Sequence, residues 1–277
     1  MSLHPPSVSD ELQIDFPAEH VLLLTLNRPK VLNAMSPTMS SDLSRVLNWF
    51  EDEPQLWVTV LTGNGRLFCA GADLKAWFAA ASNGDAGQQE RYEAMIHGFG
   101  SISRRHSRKP IIAAVVGGAH GGGMEMLVNC DLVIASSDAV FSFPEVKRGV
   151  VAALGGIPRL ARICGHQLAS EMLLLGKTVD AREAQARFGF VNTVVPADQV
   201  LSTAIGFAKA ITANSPDAVQ STKVALLLAQ KHNVEETFHT HVWSPETKRV
   251  DEGENIQEGL QAFVEKRQPS WKNPAKL

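Results

Sequence analysis

The chain has 277 residues, of which 44% are hydrophobic and 20% charged, and a formal net charge of −3. It is long enough for one large domain, or one with an appendage, around a sizeable core. Without a basic run it offers nothing to nucleic acid or to an anionic membrane surface, and no apolar run reaches the roughly 18 residues of a membrane span.

Residues 1–10, MSLHPPSVSD, lack the basic and apolar regions of a secretory signal and read as a flexible N-terminal arm. A core over 11–195 follows. ELQIDF (11–16) and VLLLTLN (21–27) read as paired strands. SPTMSSDLSRVLNWFEDE opens a helix, with Ser36 as N-cap and Pro37 at the first helical position. WVTVLTG is another strand, running into the glycine-rich GNGRLFCAGADLK (63–75). QQERYEAMIHGFGSISRRHSRK reads as an amphipathic helix leading to Pro110. PIIAAVVGG (110–118) is a buried strand, HGGGMEM (120–126) a glycine junction, and MEMLVNC a buried helix. DLVIAS and AVFSF are two more short strands. Strands alternating with helices predict an α/β layered core. Over 196–277 the strand signals stop: VLSTAIGFAKAITAN, PDAVQSTKVALLLAQK, 234–252 and 254–267 all read as helical.

Several motifs fall short. LGKT (175–178) needs an earlier glycine to be a phosphate loop, and Glu171 holds that place. G-F-G-S-I-S ends in Ser103 where a dinucleotide loop has glycine, and no G-x-S-x-G occurs. His239 and His241 are two residues apart and do not share a helical face, so no metal site is expected. Cys69, Cys130 and Cys164 form no C-x-x-C pair and read as small buried residues of a reducing compartment.

The triplet Gly121–Gly123 is costly, because glycine loses the most backbone freedom on folding. It calls for a tight turn or a close approach of the backbone to something. The triplet sits where a strand becomes a helix, with Glu125 in the first helical turn. Free N–H groups there favour an anion, and the glutamate is either a solvated acid that suits the dipole or a catalytic group. FCAGADLK (68–75) likewise follows a strand. Two converging N–H groups, one from each segment, make an oxyanion hole for a carbonyl. Glu145, in FSFPEVKRG, adds a second carboxylate, and paired carboxylates suit acid–base work.

Taken together, the order and spacing of NRPKVLNAMS, FCAGADLK, GGGMEMLVNCDLVIAS, FSFPEVKRG, LGGIPRL and AFVEKRQPSW are specific. Over nearly its full length the chain resembles the crotonase superfamily, and within it the enoyl-CoA hydratases. The resemblance implies a spiral of β-β-α units with a C-terminal helical trimerisation region, assembled as a homotrimer or hexamer. It implies an oxyanion hole from the N–H groups of Ala72 and Gly122, with Glu125 as base and Glu145 as acid around one water. It places coenzyme A and substrate contacts at Lys30, Val31 and Leu32, at Ala70, Asp73, Leu74 and Lys75, and at Phe263 and Lys266, the last two reaching the CoA of an adjacent subunit. Asp73 is alternatively a helix N-cap. No metal and no cofactor are implied beyond the CoA that the substrate carries.

The activity implied is addition or removal of water across a 2,3-enoyl-CoA. Having both glutamates favours this over a Δ3,Δ2-enoyl-CoA isomerase, which needs no water. A non-catalytic CoA or RNA binder is disfavoured, because SPTMSSDLSRVLNWFEDE carries one Arg and no Lys. Two departures bear on substrate more than on reaction class. Ala152 and Ala153 stand where relatives have Pro-Gly, in a loop that offers an N–H to the catalytic water, and His120 replaces a more usual apolar residue. His120 itself reads as a core histidine. A specialised hydratase or dehydratase for a short or branched, mevalonyl-type acyl-CoA therefore remains a reading beside the fatty acyl one; some superfamily members build such groups for siderophores. Ala275-Lys276-Leu277 is a close variant of the peroxisomal Ser-Lys-Leu address. It implies an import receptor as partner and a peroxisomal location, with the cytoplasm as the alternative.

Overall fold

Aliphatic strands whose alternate side chains face opposite ways need cover on both sides, and the architecture supplies it. The computed structural model describes residues 3–73 and 88–275. Its main sheet has six strands: β1 (Leu12–Ala18), β2 (Val21–Leu26), β3 (Val58–Gly63), β4 (Ile111–Val115), β6 (Leu132–Ser136) and β9 (Thr193–Val195), adjacent in that order. β1 and β2 form an antiparallel hairpin, and every later pairing is parallel. Leu22, Leu24, Leu26, Leu61, Ala113 and Val133 belong to one core, shared with Met39, Leu43, Val46 and Phe50 of the helix Pro37–Asp52. Val21, Leu23, Val58, Val60, Ile112 and Ile134 belong to the other, closed by Val200, Ala204 and Ala208 of the helix Val200–Thr212.

A second sheet carries the site. It contains β5 (Gly118–His120), β7 (Val140–Ser142) and β8 (Thr178–Asp180), with β7 in the middle. The chain passes from β4 to β5 and then into the helix Gly122–Leu127. It passes from β6 to β7 and then into the 3-10 turn Glu145–Arg148. These are successive β-β-α turns of one spiral, and β5 pairs parallel with β7. The bridge Cys69–Ala119 continues the stack to the preceding turn, and the bridge Met35–Ala72 continues it to the loop before the helix Pro37–Asp52. The expected crotonase-like fold is therefore present.

Three expectations change. The segment from 88 to 109 is not one helix: it is helical at Gln88–Ala94 and 3-10 at Phe99–Ser101, because Gly98 and Gly100 take left-handed φ values of 70° and 57°. The N-terminal arm is fastened: Ser9 gives its N–H (2.9 Å) and hydroxyl (2.6 Å) to Asp42 Oδ2, and Leu3 and Val8 pack on the core. The region 234–252 is two helices, Val234–Val242 and Pro245–Glu252, the second capped by Ser244. The helix Gly156–Leu174 and strands β8 and β9 complete the core. The C-terminal helices dock through a buried charge, as Lys223 Nζ donates to Lys109 O and Asp131 Oδ2, both at 2.7 Å.

Candidate active site

Each glycine of the triplet faces a different neighbour. A Cβ on Gly121, whose φ is +54°, would stand 3.1 Å from Glu145 Oε1. On Gly122 it would stand 2.5 Å from the Phe99 ring, and on Gly123 2.5 Å from Cys69 O. The run is glycine because a carboxylate, an aromatic ring and a neighbouring strand all press on it. Close approach of a substrate oxygen is thus not needed to explain it, although the geometry leaves room for one.

The amides of Ala72 and Gly122 lie on adjoining loops. Gly122 is the first residue of its helix, so its N–H has no acceptor one turn back. At Ala72 the parallel bridge to Met35 uses the flanking groups, with Met35 N donating to Gly71 O at 2.8 Å and Asp73 N donating to Met35 O at 3.3 Å. That pattern turns the N–H of Ala72 away from Met35. The two loops abut, since a Cβ on Gly71 would lie 3.2 Å from the Gly122 nitrogen. Both residues line one cavity of about 770 Å³, together with Glu125 and Glu145.

Glu125 is 3% exposed, and its Oε1 accepts the N–H groups of Leu154 (2.8 Å) and Gly156 (3.0 Å). Burial pushes its carboxyl up to about 7, and the Glu145 charge adds to this while the two amides pull it back. Glu145 begins the 3-10 turn after Pro144, and burial raises its pKa as well, against the pull of its own N–H and of Arg148. Its Oε2 is buried without a hydrogen-bond partner among the described residues. A buried acceptor left open in this way is one that a proton or a water would satisfy. Two carboxyl groups, both shifted towards the neutral form and facing one cavity, are suited to pass a single proton between them at neutral pH.

The remaining candidates are scattered. Asp73 lines the cavity, and its Oδ2 lies 3.4 Å from the Arg28 guanidinium. Lys30 and Val31 are exposed in the short turn before Leu32, whose carbonyl accepts the N–H of Ala70 at 3.0 Å. Leu74 and Lys75 lie outside the described residues. Phe263 (84% exposed) and Lys266 end the helix Glu254–Glu265 and do not line their own chain's cavity. His120 Nδ1 pairs with Ser142 Oγ at 2.8 Å outside the cavity, and burial lowers its pKa, as a core histidine requires. The N–H of Ala153 is turned into its own loop, donating to Val151 O at 2.9 Å, and is not free for a water in this arrangement. Among the described residues no cluster of His, Cys, Asp and Glu could hold a metal.

Two contributors were not foreseen. Asn33 is fully buried with φ +54°; its side chain accepts from Arg28 N at 2.8 Å and donates to Asn64 O (2.9 Å) and Leu67 O (2.8 Å). It ties the loop at 28–35 to the strand end that delivers Ala72. Its polar type in NRPKVLNAMS was the available signal. The other is the amide pair of Leu154 and Gly156, for which the glycine in LGGIPRL was the available signal.

A family model described as enoyl-CoA hydratase/isomerase matches residues 17–274. The mevalonyl-coenzyme A hydratase sidH of Aspergillus fumigatus is 44% identical, over 95% of this chain and 95% of its own. The mevalonyl-coenzyme A hydratase SIDH of Beauveria bassiana is 43% identical, over 97% of each. The crystal structure of a probable enoyl-CoA hydratase/isomerase from Mycobacterium abscessus matches with a TM-score of 0.83 at 38% identity, covering 95% of this chain and 99% of that one. An enoyl-CoA hydratase from Mycobacterium tuberculosis matches with a TM-score of 0.84 at 32% identity, with the same coverage.

Proposed function

The chain belongs to the enoyl-CoA hydratase/isomerase family, and from that premise we propose that it is an acyl-CoA hydro-lyase, adding water across a 2,3-enoyl-CoA thioester or removing it. The observation that carries this is the sharing of one cavity by Ala72, Gly122, Glu125 and Glu145. In the proposed reaction the N–H groups of Ala72 and Gly122 bind the thioester oxygen. They stabilise the enolate charge that grows there as oxygen attacks C3, and each such donor is worth roughly 3–4 kcal/mol. Glu125, its ionised form supported by two amides, takes a proton from water as the C3–O bond forms. Glu145, with an unpartnered buried oxygen, delivers a proton to C2. The sum adds H and OH and changes no oxidation state, so the reaction asks for no cofactor beyond the CoA of the substrate.

The 44% and 43% identical relatives carry the name mevalonyl-coenzyme A hydratase, which supports a short, branched hydroxyacyl thioester over a long fatty acyl one. The exposed apolar residues Trp243, Phe263 and Val264 of the C-terminal helices support assembly as a homotrimer or hexamer. A peroxisomal location through Ala275-Lys276-Leu277 remains our reading of the tail, with the cytoplasm as the alternative.

The test follows the absorbance of the conjugated enoyl thioester. Glu125→Gln and Glu145→Gln should each remove most of the hydration rate, and the double change should cost little more, because groups acting as a unit are not additive. Near-normal hydration by folded Glu145→Gln would end the paired-acid mechanism.

A further inference from the structure

Of the cavity's serines, two are already engaged. Ser36 caps its helix by accepting from Met39 N at 3.0 Å, and Ser101 Oγ accepts from Arg105 Nη2 at 2.9 Å. Ser40, Ser41 and Ser44 also line the cavity, and their hydroxyls have no hydrogen-bond partner among the described residues. They lie on one face of the helix Pro37–Asp52, since residues three and four apart are neighbours there. Ser40 and Ser44 are about 6 Å apart along the axis. Asn48 extends the row; its Oδ1 is taken by Arg105 Nη2 at 2.9 Å, which leaves its amide N–H groups to donate. His97 lines the same cavity, and its ring makes no hydrogen bond among the described residues. Burial and the Arg105 charge hold its pKa below the ordinary range, so it is a neutral donor and acceptor.

The row begins beside the reacting centre, because Met35, just before the helix, bridges Ala72. An acyl chain whose carbonyl lies at Ala72 and Gly122 can extend along these hydroxyls. A plain hydrocarbon chain laid along this face would strip water from the half-buried Ser40 and Ser44 hydroxyls and return no hydrogen bond. Among the described residues the lining offers no lysine or arginine to an acyl carboxylate. We propose that Ser40 and Ser44, with His97 of the same cavity, are specificity-determining residues that hydrogen-bond a neutral hydroxyl on the far end of the acyl group. This rests on the hydratase reading and on the hydroxyacyl thioester proposed with it, and adds the side chains that select that group.

The test pairs two enoyl-CoA thioesters of equal chain length, one ending in a hydroxyl and the other in a methyl. The unaltered full-length enzyme should prefer the hydroxylated thioester by at least about tenfold in kcat/KM, as sites built for a hydroxyl reject the analogue lacking it. Ser40→Ala/Ser44→Ala should reduce that preference by on the order of 10-fold or more, mostly through KM for the hydroxylated thioester. Alanine is the better helix former, so the helix should hold. A purely structural role would not move a ratio between two substrates. Equal turnover of both thioesters by the unaltered enzyme, or an unchanged ratio in the double variant, overturns the inference and leaves the hydratase reading intact. Hydration of neither thioester overturns both.

Discussion

Glu125 and Gly156 fit each other in two ways. The Gly156 N–H donates to Glu125 Oε1 at 3.0 Å, and the missing Gly156 side chain makes room for the same residue: a Cβ there would stand 2.7 Å from Glu125 Cγ and 2.8 Å from the Phe143 ring. Gly156→Ala should therefore displace the carboxylate while leaving the sheets in place. Hydration should fall at least about 100-fold, as for other misplacements near 1 Å. Stopped-flow rates on a variant with native circular dichroism would check this. A folded variant with normal turnover would show that the position of Glu125 is not critical.

Gly122→Val tests the oxyanion hole. Its side chain must collide with the Phe99 ring, and relief of that clash would shift the Gly122 N–H away from the proposed carbonyl position. The expected loss exceeds the roughly 10²–10³-fold typical of one missing donor. Stability and turnover should be measured together, and with Phe99→Leu as a companion change. If relief of the Phe99 contact restores stability but not turnover, the substrate-side role stands; if it restores both, the glycine served packing alone.

The raised pKa of Glu125 has a stability cost with a definite sign. The folded chain holds this proton up to about 7, whereas the ordinary value is 4.5. The folded state thus binds the proton more tightly, and the contribution to stability is lost as pH rises through that window. Glu125→Gln keeps an acceptor for the two amides and has no charge to bury. It should be more stable than the unaltered protein by on the order of 1–3 kcal/mol at about pH 8, and no more stable near pH 4. Urea unfolding at the two pH values measures the difference. Removing the neighbouring charge with Glu145→Gln should also lower the Glu125 pKa, which the pH dependence of its side-chain carboxyl NMR signal would report.

Assembly should depend on the C-terminal helices. Phe263→Asp and Val264→Asp change side chains that are 84% and 79% exposed in the single chain, so they should leave the monomer fold intact. If these residues lie between subunits, light scattering will report a loss of the trimer or hexamer at micromolar concentration. Unchanged mass would place the interface elsewhere.

The end of the chain is tied down as far as Ala275. The Ala275 N–H donates to Asp217 Oδ1 at 2.9 Å, and Trp57 Nε1 donates to Asn273 Oδ1 at 3.2 Å. Deleting only Lys276 and Leu277 spares both bonds. A fluorescently tagged protein without them should disperse through the cytosol with unchanged activity in vitro. Persistent punctate localisation would rule out the address.

What could be read from the sequence divides along physical lines. Strands such as VLLLTLN and the helix begun by Ser36 and Pro37 announce themselves because side-chain periodicity and caps are local. The helix expected over 88–109 failed because two glycines in left-handed conformations outweigh an amphipathic pattern. The acids Glu125 and Glu145 were legible as unusual residues in unusual places. The partners of Glu125 were less so: Leu154 and Gly156 act through main-chain N–H groups, and only the glycine in LGGIPRL marks the place. The loop at Ala152–Ala153 stands out in the sequence, but the turning of the Ala153 N–H to Val151 O is a backbone rotation that no residue type encodes.

The proposed site divides its labour between side chains and main chain in a way that matters for change over time. A single nucleotide substitution can convert either glutamate into glutamine, lysine, glycine or valine. No comparable step deletes the N–H of Ala72 or Gly122, apart from a replacement by proline. On the proposed reading, polarisation of the thioester is therefore harder to lose by point mutation than the acid–base chemistry. Libraries aimed at new acyl-CoA chemistry should vary Glu125 and Glu145 together with the serine face of the helix Pro37–Asp52, and leave the two glycine-rich loops alone.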